Sequence, residues 1–165
     1  MNVGLWDLLF DPENSIWVYR INAGSCNGCE IEITPLFTPR YDAERFGIKW
    51  VPTPRHADVV LITGPVTAVA KDSVLEVLSQ VPDPKVVIAV GSCGVSGGVF
   101  RGSYALKGPI DNLYPVDLYV LGCPPKPEGI LTALLEAKKI LKAKRKGVYE
   151  AKPLVVDPAG MVMKP

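Results

Sequence analysis

Three short apolar runs constrain this chain most: Val59-Val-Leu-Ile-Thr63, Val86-Val-Ile-Ala-Val90 and Asp117-Leu-Tyr-Val-Leu121, each halted by a glycine. Runs this short make no ordinary helix, and β-branched side chains are frequent in them. Each therefore predicts a strand apolar on both faces, the pattern of a parallel sheet covered on two sides. Ile16-Trp-Val-Tyr-Arg-Ile21 adds a further strand, rich in β-branched and aromatic residues. Helical spacing fills the intervals. Lys71 to Gln80 sets Val74, Leu75 and Leu78 on one side, and Glu128 to Lys144 carries Leu131, Leu134, Leu135 and Leu141 as its buried stripe. Another helix is expected from about Gly28 to Phe37, after a loop that begins at Asn22. Alternating strands and helices give an α/β fold with a parallel sheet between helical layers.

The 165 residues hold one domain, residues 16–146, between an N-terminal segment, 1–15, and a C-terminal tail, 147–165, that shows no clear period. Hydrophobic residues make up 48% and charged residues 21%, which excludes a disordered chain. The net charge of +1 lacks the basic excess of a nucleic-acid binder, so no nucleic-acid partner is expected. The longest uncharged stretch, Val86 to Phe100, is too short to span a bilayer. Asp7, Asp11 and Glu13 interrupt the only apolar run near the N-terminus, so no secretory signal is read and a cytoplasmic setting is expected. That run, Val3 to Phe10, either packs on its own core or docks on a membrane-embedded neighbour.

The cysteines carry the chemistry. Cys26 and Cys29 follow the carboxyl end of the first expected strand, and Cys93 and Cys123 follow later ones. Ligands in open parallel sheets bind at that edge, so the four thiols are expected to form one site. One C-x2-C pair and two isolated cysteines, the last in Cys-Pro, depart from the paired knuckles of structural zinc and suit an iron–sulfur cluster. Gly24, Gly28, Gly91, Gly94, Gly97, Gly98 and Gly122 lie nearby in sequence, where they let backbone approach a bulky inorganic core. Zinc, inert buried thiols and a redox pair at Cys26 and Cys29 remain alternatives on the residues alone; the pair leaves Cys93 and Cys123 without a role.

Taken in order, four motifs form a set: Gly24-Ser-Cys-Asn-Gly-Cys-Glu30; Pro54-Arg-His-Ala-Asp58 leading into Val59 to Pro65; Gly91-Ser-Cys93 with Gly97-Gly98; and Leu121-Gly-Cys-Pro-Pro-Lys-Pro-Glu128. The set resembles the small, cluster-bearing subunit of energy-converting membrane-bound nickel–iron hydrogenases, itself related to the 20 kDa subunit family of respiratory complex I. The resemblance covers Ile16 to Lys144. Complex I subunits of this kind carry two adjacent cysteines at the first position, so the separation of Cys26 from Cys29 looks like the hydrogenase branch. No cysteine follows Cys123, which is similar to the minimal, single-cluster form.

The resemblance implies a flavodoxin-like three-layer sandwich with one 4Fe–4S cluster at the carboxyl edge of the strands, ligated by Cys26, Cys29, Cys93 and Cys123. It implies no catalytic residue in this chain, with Glu30 a possible proton path. Electrons from reduced ferredoxin would arrive through a ferredoxin-like two-cluster subunit and pass to a nickel–iron centre in the partner large subunit. Protons would be reduced to hydrogen there, and an integral membrane subunit would couple the energy to ion pumping. The chain would sit peripherally on the cytoplasmic face of the cell membrane. An equivalent subunit of a complex I-like NADH/quinone or sulfur-reducing oxidoreductase is the alternative; outside redox chemistry, a zinc-stabilised assembly subunit is another.

Several charged residues carry two readings. Glu30 and Glu32 follow the second cysteine and either cap a helix start or tune the cluster. His56, the only histidine, stands with Arg55 and Asp58 in a motif that the family directs toward the membrane arm, which implies a coupling role; a structural ion pair is the other reading. Lys138, Lys139, Lys142, Lys144, Arg145 and Lys146 give the last helix a basic end, read as a solvated face or an anionic-lipid contact.

Overall fold

The structure is a computed structural model that describes residues 15–149, 153–157 and 160–163. The expected docking segment therefore lies outside the described residues, apart from Ser15. Among the described residues nine strands follow in chain order: β1 (Ile16–Asn22), β2 (Ile48–Trp50), β3 (Val59–Thr63), β4 (Val66–Thr67), β5 (Val86–Val90), β6 (Leu106–Gly108), β7 (Leu118–Val120), β8 (Leu154–Val156) and β9 (Val162–Met163). The α-helices among those residues are α1 (Gly28–Ile33), α2 (Lys71–Gln80), α3 (Gly91–Ser96) and α4 (Pro127–Arg145). Seven strands form one sheet in the order β2-β1-β3-β5-β7-β8-β9, while β4 and β6 pair separately. All neighbours in the large sheet are parallel except β8 and β9. This is a flavodoxin-like, doubly wound α/β fold whose strand order reverses at β1 and β3, where such sheets bind their ligands.

Alternation along the strands explains the continuous apolar runs. Val59 and Leu61 of β3 face one core with Ile16, Val18, Ile88 and Leu118, covered by Ile130, Leu134 and Leu141 of α4. Val60 and Ile62 face the other, against Val74 and Leu78 of α2. Every residue of β3 and β5 is buried, so a strand in this position cannot show a polar face.

Three elements differ from the sequence reading. α1 stops at Ile33 and continues as a 3-10 turn, Thr34–Phe37, because Pro35 supplies no N–H and its ring crowds the preceding turn. On α4 the fully buried stripe runs through Ile130, Ala133, Leu134, Ala137, Ile140 and Leu141, whereas Leu131 and Leu135 pack at its margin. Alanines widen that face, a contribution that counting leucines overlooks. The stretch after Gly147 supplies β8 and β9 at the sheet edge, with Leu118 to Val120 paired to Leu154 to Val156. Strands of three and two residues are too short to show a period.

The basic end of α4 is largely spent on structure. Arg145 pairs with Asp58 at 3.1 Å, and Asp58 Oδ2 accepts the Trp17 N–H of β1. Lys144 reaches Asp117 Oδ1 at 2.7 Å and donates to the Lys85 carbonyl, while Asp117 Oδ2 accepts the Val87 N–H. Lys138 is buried and donates to the Phe46 carbonyl, and Lys139 pairs with Glu136. These contacts fasten α4 across the amino ends of β3, β5 and β7, so the solvated-face reading does not hold for Lys138 and Lys144, while Arg145 stays exposed as it pairs with Asp58.

Candidate metal centre

Parallel pairing makes the loops after β1, β5 and β7 open on one edge, and those loops carry the cysteines. Cys26 and Cys29 come from the loop after β1 and the first turn of α1, Cys93 from α3 directly after β5, and Cys123 from the loop after β7. All four are free thiols and all four line one cavity of about 150 Å³, with Gly28, Gly64 and Gly122 among its walls. Cys29 is buried, Cys93 half-buried, and Cys26 and Cys123 are exposed. The Ser92 N–H and hydroxyl both donate to the Gly122 carbonyl, tying the Cys93 segment to the Cys123 loop.

Two glycines let backbone press against the sulfurs. A Cβ on Gly91 would stand 2.5 Å from Cys29 Sγ, and one on Gly98 would stand 2.8 Å from Cys93 Sγ. Burial pushes the Cys29 thiol up to about 12, reinforced by the charges of Glu30, Cys26, Cys93 and Cys123. Cys93 is raised by burial and by Cys123 and Cys26, with the Val99 N–H opposing the shift by donating to its sulfur. Four thiolates this close repel one another, and a cationic metal core relieves that repulsion. Among the described residues no three His, Cys, Asp or Glu side chains are grouped so as to hold one metal ion. The thiols surround a cavity instead. Four cysteine donors around a cavity fit an iron–sulfur core, a group that cysteine thiolates hold.

A profile described as NADH ubiquinone oxidoreductase, 20 Kd subunit, matches residues 26–137. The chain belongs to that family. The match begins at the first cysteine and contains all four. Within the 20 Kd subunit family, a probable membrane-bound hydrogenase subunit of Pyrococcus furiosus is 53% identical over 133 residues, which is 81% of this chain and 80% of that protein. Formate hydrogenlyase subunit 7 of Escherichia coli is 47% identical over 137 residues, 83% of this chain but 54% of the longer relative. A chain of the membrane-bound sulfane sulfur reductase, an archaeal respiratory membrane complex, superposes with a TM-score of 0.66 at 38% identity, covering 85% of this chain and 76% of that one. Relatives of this chain are thus subunits of oxidoreductase complexes, and the resemblance to hydrogenase and complex I subunits stands.

Of the charged residues and the histidine singled out in the sequence, Glu30 is the one beside the cysteine site. Its carboxylate neither caps a helix nor meets solvent: it is 7% exposed and turned toward the sheet. Oε1 accepts Asn22 Nδ2 at 3.0 Å and Thr63 Oγ1 at 2.5 Å, Oε2 accepts Ser25 Oγ at 2.7 Å, and Arg20 Nη1 lies 3.4 Å away. Glu32 is half-buried on α1 and lies outside this network. Arg55, His56 and Asp58 precede β3 and so lie at the sheet's opposite edge; the His56 ring meets Trp17 edge-on at 5.9 Å. Asp58 there belongs to the structural pair with Arg145. Sequence reasoning missed Arg20, Asn22 and Thr63. Thr63 was the available signal, as the one polar residue in an otherwise aliphatic, wholly buried strand.

Proposed function

We propose that this chain is the electron-relay subunit of a membrane-bound, energy-converting nickel–iron hydrogenase. Cys26, Cys29, Cys93 and Cys123 hold one 4Fe–4S cluster, which when bound takes up and releases single electrons. The observation that carries the reading is the meeting of four free thiols from three separate loops around one cavity. With every thiolate engaged as a ligand, this chain's own residues bind and position rather than make bonds. Gly91 and Gly98 leave room for two of the sulfurs, and the Val99 N–H supplies a hydrogen bond to the Cys93 sulfur. The 53% identity to a hydrogenase subunit supports the hydrogenase branch.

The surface beside the cysteines supports a partnered role. Ile31 on α1, Val69 after β4, and Val99 and Tyr104 after α3 are 66%, 92%, 87% and 100% exposed. Apolar side chains this exposed, on segments that follow the carboxyl ends of β1, β3 and β5, fit a protein interface. In this reading a large subunit with a nickel–iron centre covers that edge, a ferredoxin-like two-cluster subunit delivers electrons from reduced ferredoxin, and an integral membrane subunit holds the assembly on the cytoplasmic face. No helix among the described residues is long and apolar enough to cross a membrane; the proposed attachment runs through that subunit. An equivalent relay in a sulfur-reducing complex is the second reading, favoured by the likeness to the sulfane sulfur reductase chain. Two C-x2-C motifs in the partner large subunit, one near each end, are expected for nickel–iron ligation and decide between the two.

The test is Cys123→Ser in the purified complex. This chain itself should carry about four irons and four acid-labile sulfides, counted apart from those of the two-cluster subunit and the nickel–iron centre. Serine offers a hard oxygen in place of a soft thiolate, so hydrogen production from reduced ferredoxin should collapse. Proton–deuterium exchange, which needs only the nickel–iron centre, should survive in an assembled, nickel-loaded complex. Undiminished ferredoxin-linked hydrogen production would refute the relay.

A further inference from the structure

We propose that Glu30 is a positioning residue for the cysteine site, its buried carboxylate locking the loop from Asn22 to Asn27 so that Cys26 and Cys29 face the cavity. The inference rests on the cluster reading above and concerns how this chain holds its ligands in place.

The loop is fastened through side chains. Glu30 accepts Asn22 Nδ2 and Ser25 Oγ. Asn22 Oδ1 in turn accepts the N–H groups of Gly24 at 2.9 Å and Ser25 at 2.8 Å, and Ser25 Oγ accepts the Asn27 N–H at 3.1 Å. Ser25 and Asn27 flank Cys26, so both neighbours of that cysteine are tied into the network. Cys29 is the residue immediately before Glu30. A second anchor comes from the sheet, where the single Thr63 hydroxyl proton goes to the same carboxylate oxygen as Asn22 at 2.5 Å, with the Ile21 carbonyl 3.2 Å from that hydroxyl. The carboxylate therefore joins the ends of β1 and β3 to the ligand loop at one point.

Stability alone does not account for this arrangement. Thr63 is wholly buried in a run of aliphatic residues, where valine or isoleucine would pack without any polar group to satisfy. Burying an ionised carboxylate is costly unless it is paired and hydrogen-bonded, and an apolar replacement of the same shape is often neutral or better. What a carboxylate adds is two acceptor oxygens and no donor, so it gathers several donors from different segments at one fixed point. Ligands must be held within about 0.5 Å by supporting side chains that are themselves fixed. Asn27 makes the requirement visible. It takes a left-handed φ of 72° at the start of α1 without a side-chain cap, a conformation that Asn tolerates better than most residues, while its N–H is tied to Ser25 Oγ.

The experiment compares Glu30→Ala and Glu30→Gln in the purified complex, after assembly and thermal stability are checked. Iron release to a chelator, the EPR line shape of the reduced cluster and its midpoint potential are measured. Glu30→Ala should release iron about tenfold faster or more, as the loop loses its charge-assisted bonds, and should alter the line shape. Glu30→Gln keeps the shape and an acceptor oxygen for Asn22 and Thr63. It should restore slow release while moving the midpoint to a more positive value, since one negative charge beside Cys29 is gone. Wild-type release and line shape in Glu30→Ala, with only a lowered melting temperature, would reduce Glu30 to a structural residue and overturn the inference. A wild-type complex whose iron and sulfide are fully accounted for by the partner subunits, with none on this chain, would overturn the cluster reading itself, and this inference with it.

Discussion

Gly91→Ala gives the sharpest measure of how tightly the fold is built around the thiols. Gly91 has φ +84°, and a Cβ placed there stands 2.5 Å from Cys29 Sγ, where ordinary contact begins at 3.4 Å. A left-handed residue with a Cβ costs roughly 1–2 kcal/mol, and forcing an atom into a packed site costs roughly 1–3 kcal/mol more. The expected destabilisation is thus about 2–5 kcal/mol. The sulfur must also retreat by about 0.9 Å, beyond the roughly 0.5 Å tolerance of a preorganised site. Cys29 lines the cysteine cavity, so a retreating sulfur is displaced from its place around that space. Gly102→Ala separates the two effects, because Gly102 has φ +86° but nothing within 4 Å of its added Cβ. That variant should lose only the backbone term, about 1–2 kcal/mol, and keep its cluster. Iron and sulfide per chain, with chemical denaturation of each variant, provide the readout. A Gly91→Ala protein with full iron and native line shape would refute the packing argument; equal cluster loss in Gly102→Ala would show that backbone strain alone is responsible.

Two further predictions concern the opposite edge of the sheet. Asp117→Ala should cost about 3 kcal/mol, because it leaves the buried Val87 N–H without an acceptor and removes the carboxylate facing Lys144; Asp117→Asn should cost about half as much in urea denaturation. Burial, and then the charge of Asp117, hold the Tyr149 phenol above its ordinary pKa of 10. The stability this provides is complete below pH 10 and is lost as pH rises through the folded-state pKa, so Tyr149→Phe should flatten the alkaline fall in denaturation midpoint. An unchanged alkaline slope would contradict that assignment.

Positions of strands and helices were legible because burial on two faces leaves a plain mark. A strand covered on both sides must be apolar throughout, and a glycine must end it where backbone turns sharply, so β3 and β5 are bounded by their own residues. α2 was equally plain, since its apolar positions recur with helical period. Placing each cysteine after a strand was enough to bring the four to one edge, because parallel strands present all their carboxyl ends on the same side. The short strands β2, β8 and β9 left no such mark, being recruited by the edges of a sheet already formed.

Charge was less legible than apolarity, for a physical reason. An aliphatic residue is buried wherever it can be, whereas a charged one is defined by a partner that is usually distant in sequence. Local order suggested that Glu30 caps a helix and that Lys144 and Arg145 face water. The folded chain turns Glu30 onto Thr63 and sets the two cations against Asp117 and Asp58. The sequence by itself determined the α/β class, the strands and the edge at which the thiols gather, because those follow from periodicity and chain direction. Only the tertiary structure decided which charges pair, which glycines press on sulfur and where His56 stands, because those depend on contacts between segments far apart along the chain.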